Sequence, residues 1–184
     1  MKNRFNILVL FGAMFVSALF FSHYAEKANA TAFKAVIPAP QFTQRNASAW
    51  INSPPLTIQE LQGKVLLIDV WTYSCYNCYR SFPWLNSLEK KYEDLQIIGI
   101  HTPEFEHEKV YDNIVAKAKE FELHHPIMLD NDFAYWNLLN NQYWPAYYLV
   151  DKQGNIRYRF IGETHKNTPQ AKRVEEAIEQ LLTQ

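Results

Sequence analysis

Cys75 and Cys78 are the only cysteines of the chain, and they stand three positions apart in the run Trp71-Thr72-Tyr73-Ser74-Cys75-Tyr76-Asn77-Cys78-Tyr79-Arg80. The pair follows an apolar stretch (residues 65–71, VLLIDVW) and opens a segment of helical character running to about residue 92. A C-x-x-C at a helix start sets its first sulfur against unpaired backbone N–H groups and the positive end of the helix dipole. Both favour thiolate over thiol, so Cys75 is expected to be the nucleophile and the deeper Cys78 the resolving thiol of a disulfide exchange. Two other uses of the pair are open. A structural disulfide over so short a loop removes little chain entropy. A zinc site would recruit His101 and His107, but a whole helix and strand separate them from Cys78. Haem attachment fails because Tyr79, not His, follows the second cysteine.

Other residues bear on the same chemistry. Asp69 lies six positions before Cys75 on an otherwise apolar strand. Buried, its carboxyl has a raised pKa and can shuttle the proton of the resolving cysteine; turned to solvent, it is a strand-end acid without a role. Pro83, inside the helical stretch, is expected to kink it. Trp144-Pro145 precedes a strand, and pattern alone does not make that bond cis, which is ~5–6% of X-Pro bonds. Trp71, Tyr73, Tyr76, Tyr79, Phe82 and Trp84 crowd the motif, with Tyr143 and Trp144 joining from the later loop. Tyr76, between the cysteines, is the candidate exposed contact to a polypeptide substrate; about half of this crowd is core packing. His124, His125 and His165 receive no role.

These residues need a scaffold, and the chain supplies one. Residues 65–71 and 95–100 are continuous apolar runs, the mark of strands buried on both faces. Helical spacing of Val110, Ile114, Ala118 and Phe121 predicts a helix over 108–121, and a shorter one is expected over 133–139. Strand 146–150, a turn at 151–154 and alternating Ile156, Tyr158 and Phe160 make a hairpin. Thr168-Pro169 starts a last helix burying Val174, Ala177, Ile178, Leu181 and Leu182. Residues 31–55, with four prolines, read as a leader strand or loop packed on the domain, with Trp50-Ile51 as a short strand. This order predicts an α/β fold, a central mixed β-sheet flanked by helices, with an N-terminal extension. At 184 residues, 48% hydrophobic and 20% charged, the chain excludes a disordered or low-complexity protein. With 18 basic against 19 acidic residues and no basic stripe, it excludes nucleic acid as partner.

Residues 1–30 have their own character. Lys2 and Arg4 precede seventeen uncharged residues (5–21), and the segment closes on Ala28-Asn29-Ala30. That pattern is expected to be either an export signal cut after Ala30 or an uncleaved membrane anchor, leaving residues 31–184 exported as one domain in both cases. Without Lys2, Arg4, Lys27 and Glu26, the remaining 154 residues carry 15 positive and 18 negative groups, a net of −3.

Residues 50–182 resemble the thioredoxin superfamily. Asp69, Cys75, Cys78 and Pro83 match in order and spacing the buried acid, the cysteine pair and the helix proline of thioredoxins. Pro145 falls where that family has a cis-proline loop facing the cysteines and holding substrate backbone. WTYSCYNCYRSFPWL (71–85), IIGIHTPEFEHEKV (97–110) and YWPAYYLVDKQGNIR (143–157) are most similar to the exported TlpA-like branch and its DipZ-type domains. The resemblance implies an extracytoplasmic thiol–disulfide oxidoreductase acting on protein thiols and disulfides without a cofactor. It implies a reductant supplied by a separate membrane electron donor of the CcdA or DsbD type, since this chain has at most one hydrophobic segment. Two departures bear on this. Tyr76-Asn77 replaces the Gly-Pro of reducing thioredoxins, and Trp144 before the loop proline is expected to reshape the substrate groove. Glu104 lies loosely where cytochrome-maturation members carry an acid, and reads as a solvated loop residue. A thiol oxidant or thiol peroxidase on the same fold, or a metal-handling chaperone using the same sulfurs, are the alternatives.

Overall fold

The four strands expected from apolar runs and the terminal hairpin belong to a single sheet, but their order in space differs from their order in sequence. The computed structural model describes residues 30–184, with side chains from Val36 onward. The expected export signal or anchor (residues 1–30) lies outside the described residues save for Ala30. Among the described residues no helix is long and apolar enough to cross a membrane.

The strands are β1 (Ala30–Pro38), β2 (Trp50–Ile51), β3 (Val65–Trp71), β4 (Leu95–His101), β5 (Ile127–Leu129), β6 (Ala146–Val150) and β7 (Asn155–Ile161). The helices are α1 (Tyr76–Lys91), α2 (Tyr111–Glu120), α3 (Ala134–Leu138) and α4 (Pro169–Leu182), with 3-10 turns at Ala47–Ala49 and Glu106–Lys109. The sheet order is β1-β7-β6-β3-β4-β5-β2. β3, β4 and β5 are parallel, while β6 runs antiparallel to β3 and β7 antiparallel to β6. The fold is thus the mixed, helix-flanked thioredoxin arrangement expected.

All seven residues of β3 are buried, as a central strand covered on both faces requires. Successive side chains point to opposite faces. Val65, Leu67 and Trp71 pack with Cys78, Phe82 and Leu85 of α1 and with Val174 and Ile178 of α4. Leu66, Ile68 and Val70 meet Phe42, Ile58 and Leu61 of the N-terminal extension and Tyr135 of α3. The proline-rich extension is therefore the cover of the second face. One expectation shifts. The helix placed at 108–121 divides into the 3-10 turn Glu106–Lys109 and α2, because Glu108 turns inward to bind backbone N–H groups of the loop. His124 and His125 lie in the loop before β5, and His125 itself is buried.

Strand direction brings the site together. Val70 of β3 pairs with Ala146 of β6, and Trp71 pairs with His101 of β4. The end of β3, the end of β4 and the start of β6 therefore share one sheet edge, where three loops converge.

Candidate active site

The motif is held at that edge by backbone and side chain together. Thr102 N–H donates to Trp71 O (3.0 Å), extending the β3–β4 ladder one residue past the strand end. Cys75 N–H then donates to Thr72 O (3.3 Å), turning the chain into α1. Cys75 is the N-cap of that helix: its Sγ accepts from Cys78 N–H at 3.2 Å, and its carbonyl accepts from Tyr79 N–H at 3.1 Å. The Cys78 N–H, shared between the Cys75 carbonyl (3.1 Å) and its sulfur, is a contact that stabilises a thiolate there. The two cysteines form a disulfide with Cα atoms 5.3 Å apart. Cys75 is partly exposed, whereas Cys78 is 0% exposed. A nucleophile open to a partner and a shielded resolving thiol is the asymmetry that exchange needs.

Asp69 is 1% exposed, and its Oδ2 has no hydrogen-bond partner among the described residues. It lies on the β3 face of Leu67 and Trp71, the face that packs against Cys78. Its cross-strand neighbours are Gly99 and Tyr147. Burial pushes its carboxyl up to about 8. The solvent-facing alternative for this acid is excluded by its burial. Pro83 sits within α1, which continues past it to Lys91.

The Trp144–Pro145 peptide bond is cis, as the resemblance implied and pattern alone did not. Trp144 is partly buried: its Nε1 donates to Thr102 O at 3.1 Å and its ring lies 4.3 Å from that of Trp136. The indole that was expected to shape a groove is thus tied to the β4 end. Tyr76 is 66% exposed, with the Arg80 guanidinium 5.3 Å from its ring centre. Tyr79 and Tyr143 are also exposed, while Trp71, Phe82 and Trp84 belong to the core. Of the imagined zinc ligands, His101 is buried against Trp71 and Tyr73, and His107 is exposed and stacked on Phe105. Among the described residues no group of His, Cys, Asp and Glu is placed to hold a metal ion.

Sequence reasoning missed Glu108. This carboxylate is fully buried and accepts from Ser74 N–H (3.1 Å), Glu104 N–H (2.5 Å) and Phe105 N–H (2.8 Å). Burial raises its pKa, but bonds from Ser74, Phe105, Thr72 and Glu104 outweigh that and hold it below the usual value. Glu104, the acid weighed from sequence, is exposed and contributes only its backbone. Beside Glu108, Thr72 Oγ1 meets His101 Nε2 at 3.3 Å. Burial pushes His101 down to about 4 against the opposing charge of Glu108, so the ring is neutral at physiological pH. One sequence signal was available: Glu108 is three residues after Phe105, the spacing at which an acid reaches back to the N–H groups of a turn.

Comparison with known proteins agrees with this geometry. A family model described as thioredoxin-like matches residues 63–156. Protein DipZ of Mycobacterium tuberculosis is 40% identical over 143 residues, covering 75% of this chain and 20% of DipZ. The chain thus spans about one fifth of that relative's length. The thiol-disulfide oxidoreductase YkuV of Bacillus subtilis is 34% identical over 122 residues, covering 66% of this chain and 81% of YkuV. The solution structure of a thioredoxin-like protein in the oxidised form superposes with a TM-score of 0.69 at 29% identity, covering 82% of this chain and 98% of that one. A thiol:disulfide interchange protein of the thioredoxin family from Chlorobium tepidum TLS shares the fold, with a TM-score of 0.64 at 17% identity over 82% of this chain and 99% of that one.

Proposed function

The chain belongs to the thioredoxin-like family, and from that premise we propose that it is an extracytoplasmic thiol–disulfide oxidoreductase that reduces disulfides of other proteins through Cys75 and Cys78. The observation that carries this is the Cys75–Cys78 disulfide at the N-terminus of α1, its first sulfur open to a partner and its second buried.

Starting from the dithiol, the Cys75 thiolate attacks one sulfur of a substrate disulfide. The other substrate sulfur leaves as a thiolate and takes up a proton, and a Cys75–substrate mixed disulfide remains. Cys78 loses its proton and attacks Cys75 Sγ. The second substrate sulfur departs and is protonated in turn. The pair has given up two electrons and two protons, and the substrate has gained both. Asp69, buried on the Cys78 face with its Oδ2 unbonded among the described residues, takes the Cys78 proton when its carboxyl is ionised, and burial raises the basicity of that carboxylate. To Pro145, at the cis bond after Trp144, this reading assigns the holding of substrate backbone and to Trp144 the shape of the groove, and Tyr76 offers an exposed ring to the incoming polypeptide.

The charged start, apolar run and Ala28-Asn29-Ala30 of the N-terminal segment support export, by a cleaved signal or a retained anchor. Outside the cytosol the pair needs a fresh electron supply after each turnover, and a membrane donor of the CcdA or DsbD type fits that need.

The test is the reduction potential of the couple, read by thiol labelling after equilibration of the full chain in glutathione buffers. A value toward thioredoxin's ~−270 mV is expected; a value near ~−120 mV would reverse the direction of electron flow. Absence of a reversible two-electron couple would overturn the activity itself.

A further inference from the structure

The mechanism above uses Cys75, Cys78 and Asp69 and leaves one buried charge at the site without a task. Glu108 comes from the loop after β4, yet its carboxylate is bonded to the backbone of Ser74, the residue next to Cys75. The same carboxylate gathers the N–H groups of Glu104 and Phe105, so that it closes its own loop and clasps the motif at once. It is fully buried, and among the described residues no basic side chain is bonded to it. His101, which meets Thr72 beside it, is held neutral by burial. The clasp therefore delivers an uncompensated negative charge beside the nucleophile, where a purely structural clasp needs only an oxygen acceptor.

We propose that Glu108 is a positioning residue that sets the redox balance of the pair: a fixed anion one residue from Cys75 that disfavours its thiolate and so biases the couple toward the disulfide and the protein toward giving electrons. The inference rests on the thiol–disulfide reading and gives it a direction. Two influences oppose each other at Cys75. The helix start, through Cys78 N–H, favours the thiolate, and Glu108 disfavours it. Consecutive Cα atoms are ~3.8 Å apart, which puts the carboxylate within roughly 10 Å of the sulfur. A unit charge at that range, in a partly buried setting, changes the thiolate fraction on the order of tenfold. Destabilising the thiolate weakens only the reduced form, so the potential falls; a tenfold change in the equilibrium constant is ~30 mV.

The experiment is the pH profile of Cys75 alkylation in the reduced full chain, for the wild type, Glu108→Gln and Glu108→Asp. The other ionisable groups flanking the clasp are Tyr73 before α1, Tyr76, Cys78, Tyr79 and Arg80 at its start, Asp69 on β3, His101 on β4, and Glu104, Glu106, His107 and Lys109 on the loop; all are common to the three proteins. Glu108→Gln keeps size and an acceptor but removes the charge. It is expected to raise the thiolate fraction at fixed pH about tenfold and to raise the potential correspondingly. Glu108→Asp keeps the charge on a shorter arm and is expected to stay with the wild type even where the loop loosens. An unmoved profile in Glu108→Gln, or equal movement in both variants, overturns the proposal. Should Glu108→Gln not fold, the wild-type midpoint decides. Above thioredoxin's ~7 the anion outweighs the helix start, and at or below it the proposal fails. A wild type with no reversible couple fails the functional reading instead, and the alkylation midpoints separate the two failures.

Discussion

Burial delays ionisation of Asp69 to about pH 8, which makes the ionised carboxylate a stronger base than an ordinary aspartate and makes the buried group a stability liability. In the unfolded chain an aspartate ionises near 3.8, while in the fold burial delays this to about 8. Between those values the folded state holds a proton that the unfolded state has lost, so stability is full below the lower value and drains away as pH rises toward the upper one. Asp69→Asn cannot lose that proton. The variant is expected to flatten the fall in urea midpoint of the oxidised protein between pH 4 and 8, and to be more stable at pH 8 by on the order of a few kcal/mol. It is also expected to slow the release of substrate from the mixed disulfide on the order of a hundredfold, followed by stopped-flow. Equal pH slopes in both proteins would mean that Asp69 does not titrate in this range. At this scale the sequence was most legible where chemistry depends on short spacing: three positions fix the cysteine pair, and an acid on an apolar strand marks Asp69. Glu108 was hidden for the opposite reason. It reaches Ser74 across 34 positions of chain, and only the folded loop brings them together.

Loops at the sheet edge act as elements through a second buried acid, Asp130. It follows β5 and accepts from Tyr135 N–H (2.8 Å), Trp136 N–H (2.9 Å) and Thr102 Oγ1 (3.1 Å). One carboxylate therefore starts α3 and ties it to the end of β4. Trp136, so placed, packs on Trp144, whose Nε1 returns to Thr102 O. The wall beside Pro145 is thus anchored from two elements. Asp130→Ala strands two backbone N–H groups and a hydroxyl, and is expected to lower unfolding free energy by roughly 2 kcal/mol with the denaturant slope unchanged. The near-UV signal of the tryptophan pair should weaken as well, whereas a purely local loss of the helix cap would leave it intact. The elements that carry the motif were readable because β3, β4 and β6 are long apolar runs and α4 has a proline at its start. β5 was not, since a three-residue strand gives too short a run to show a period. The bonds of Glu108 likewise broke a helical pattern that the spacing of Val110, Ile114 and Ala118 carries only from residue 111.

For the molecule as a whole, the direction of electron flow is a statement about folding. The disulfide can form in the folded or the unfolded chain, and the four species make a closed cycle. Closing a loop this short changes the unfolded chain's entropy little. The difference in stability between oxidised and reduced protein therefore reports how the fold treats the two sulfurs, at ~1.4 kcal/mol for each ~30 mV between folded and unfolded couples. Here the fold buries Cys78 completely and clasps an anion next to Cys75. Each disfavours a thiolate more than a disulfide. Only the N-cap bond from Cys78 N–H favours the thiolate. The sum predicts that the oxidised protein unfolds at a higher urea concentration than the reduced one at pH 7, measured on the same chain with and without reductant. A strong oxidant gives the reverse order, because its fold stabilises the dithiol. Finding the reduced form more stable would place this protein among electron acceptors, whatever its resemblance. With Glu108→Gln the gap between the two forms should narrow, since the same charge that tilts the thiol also tilts the cycle.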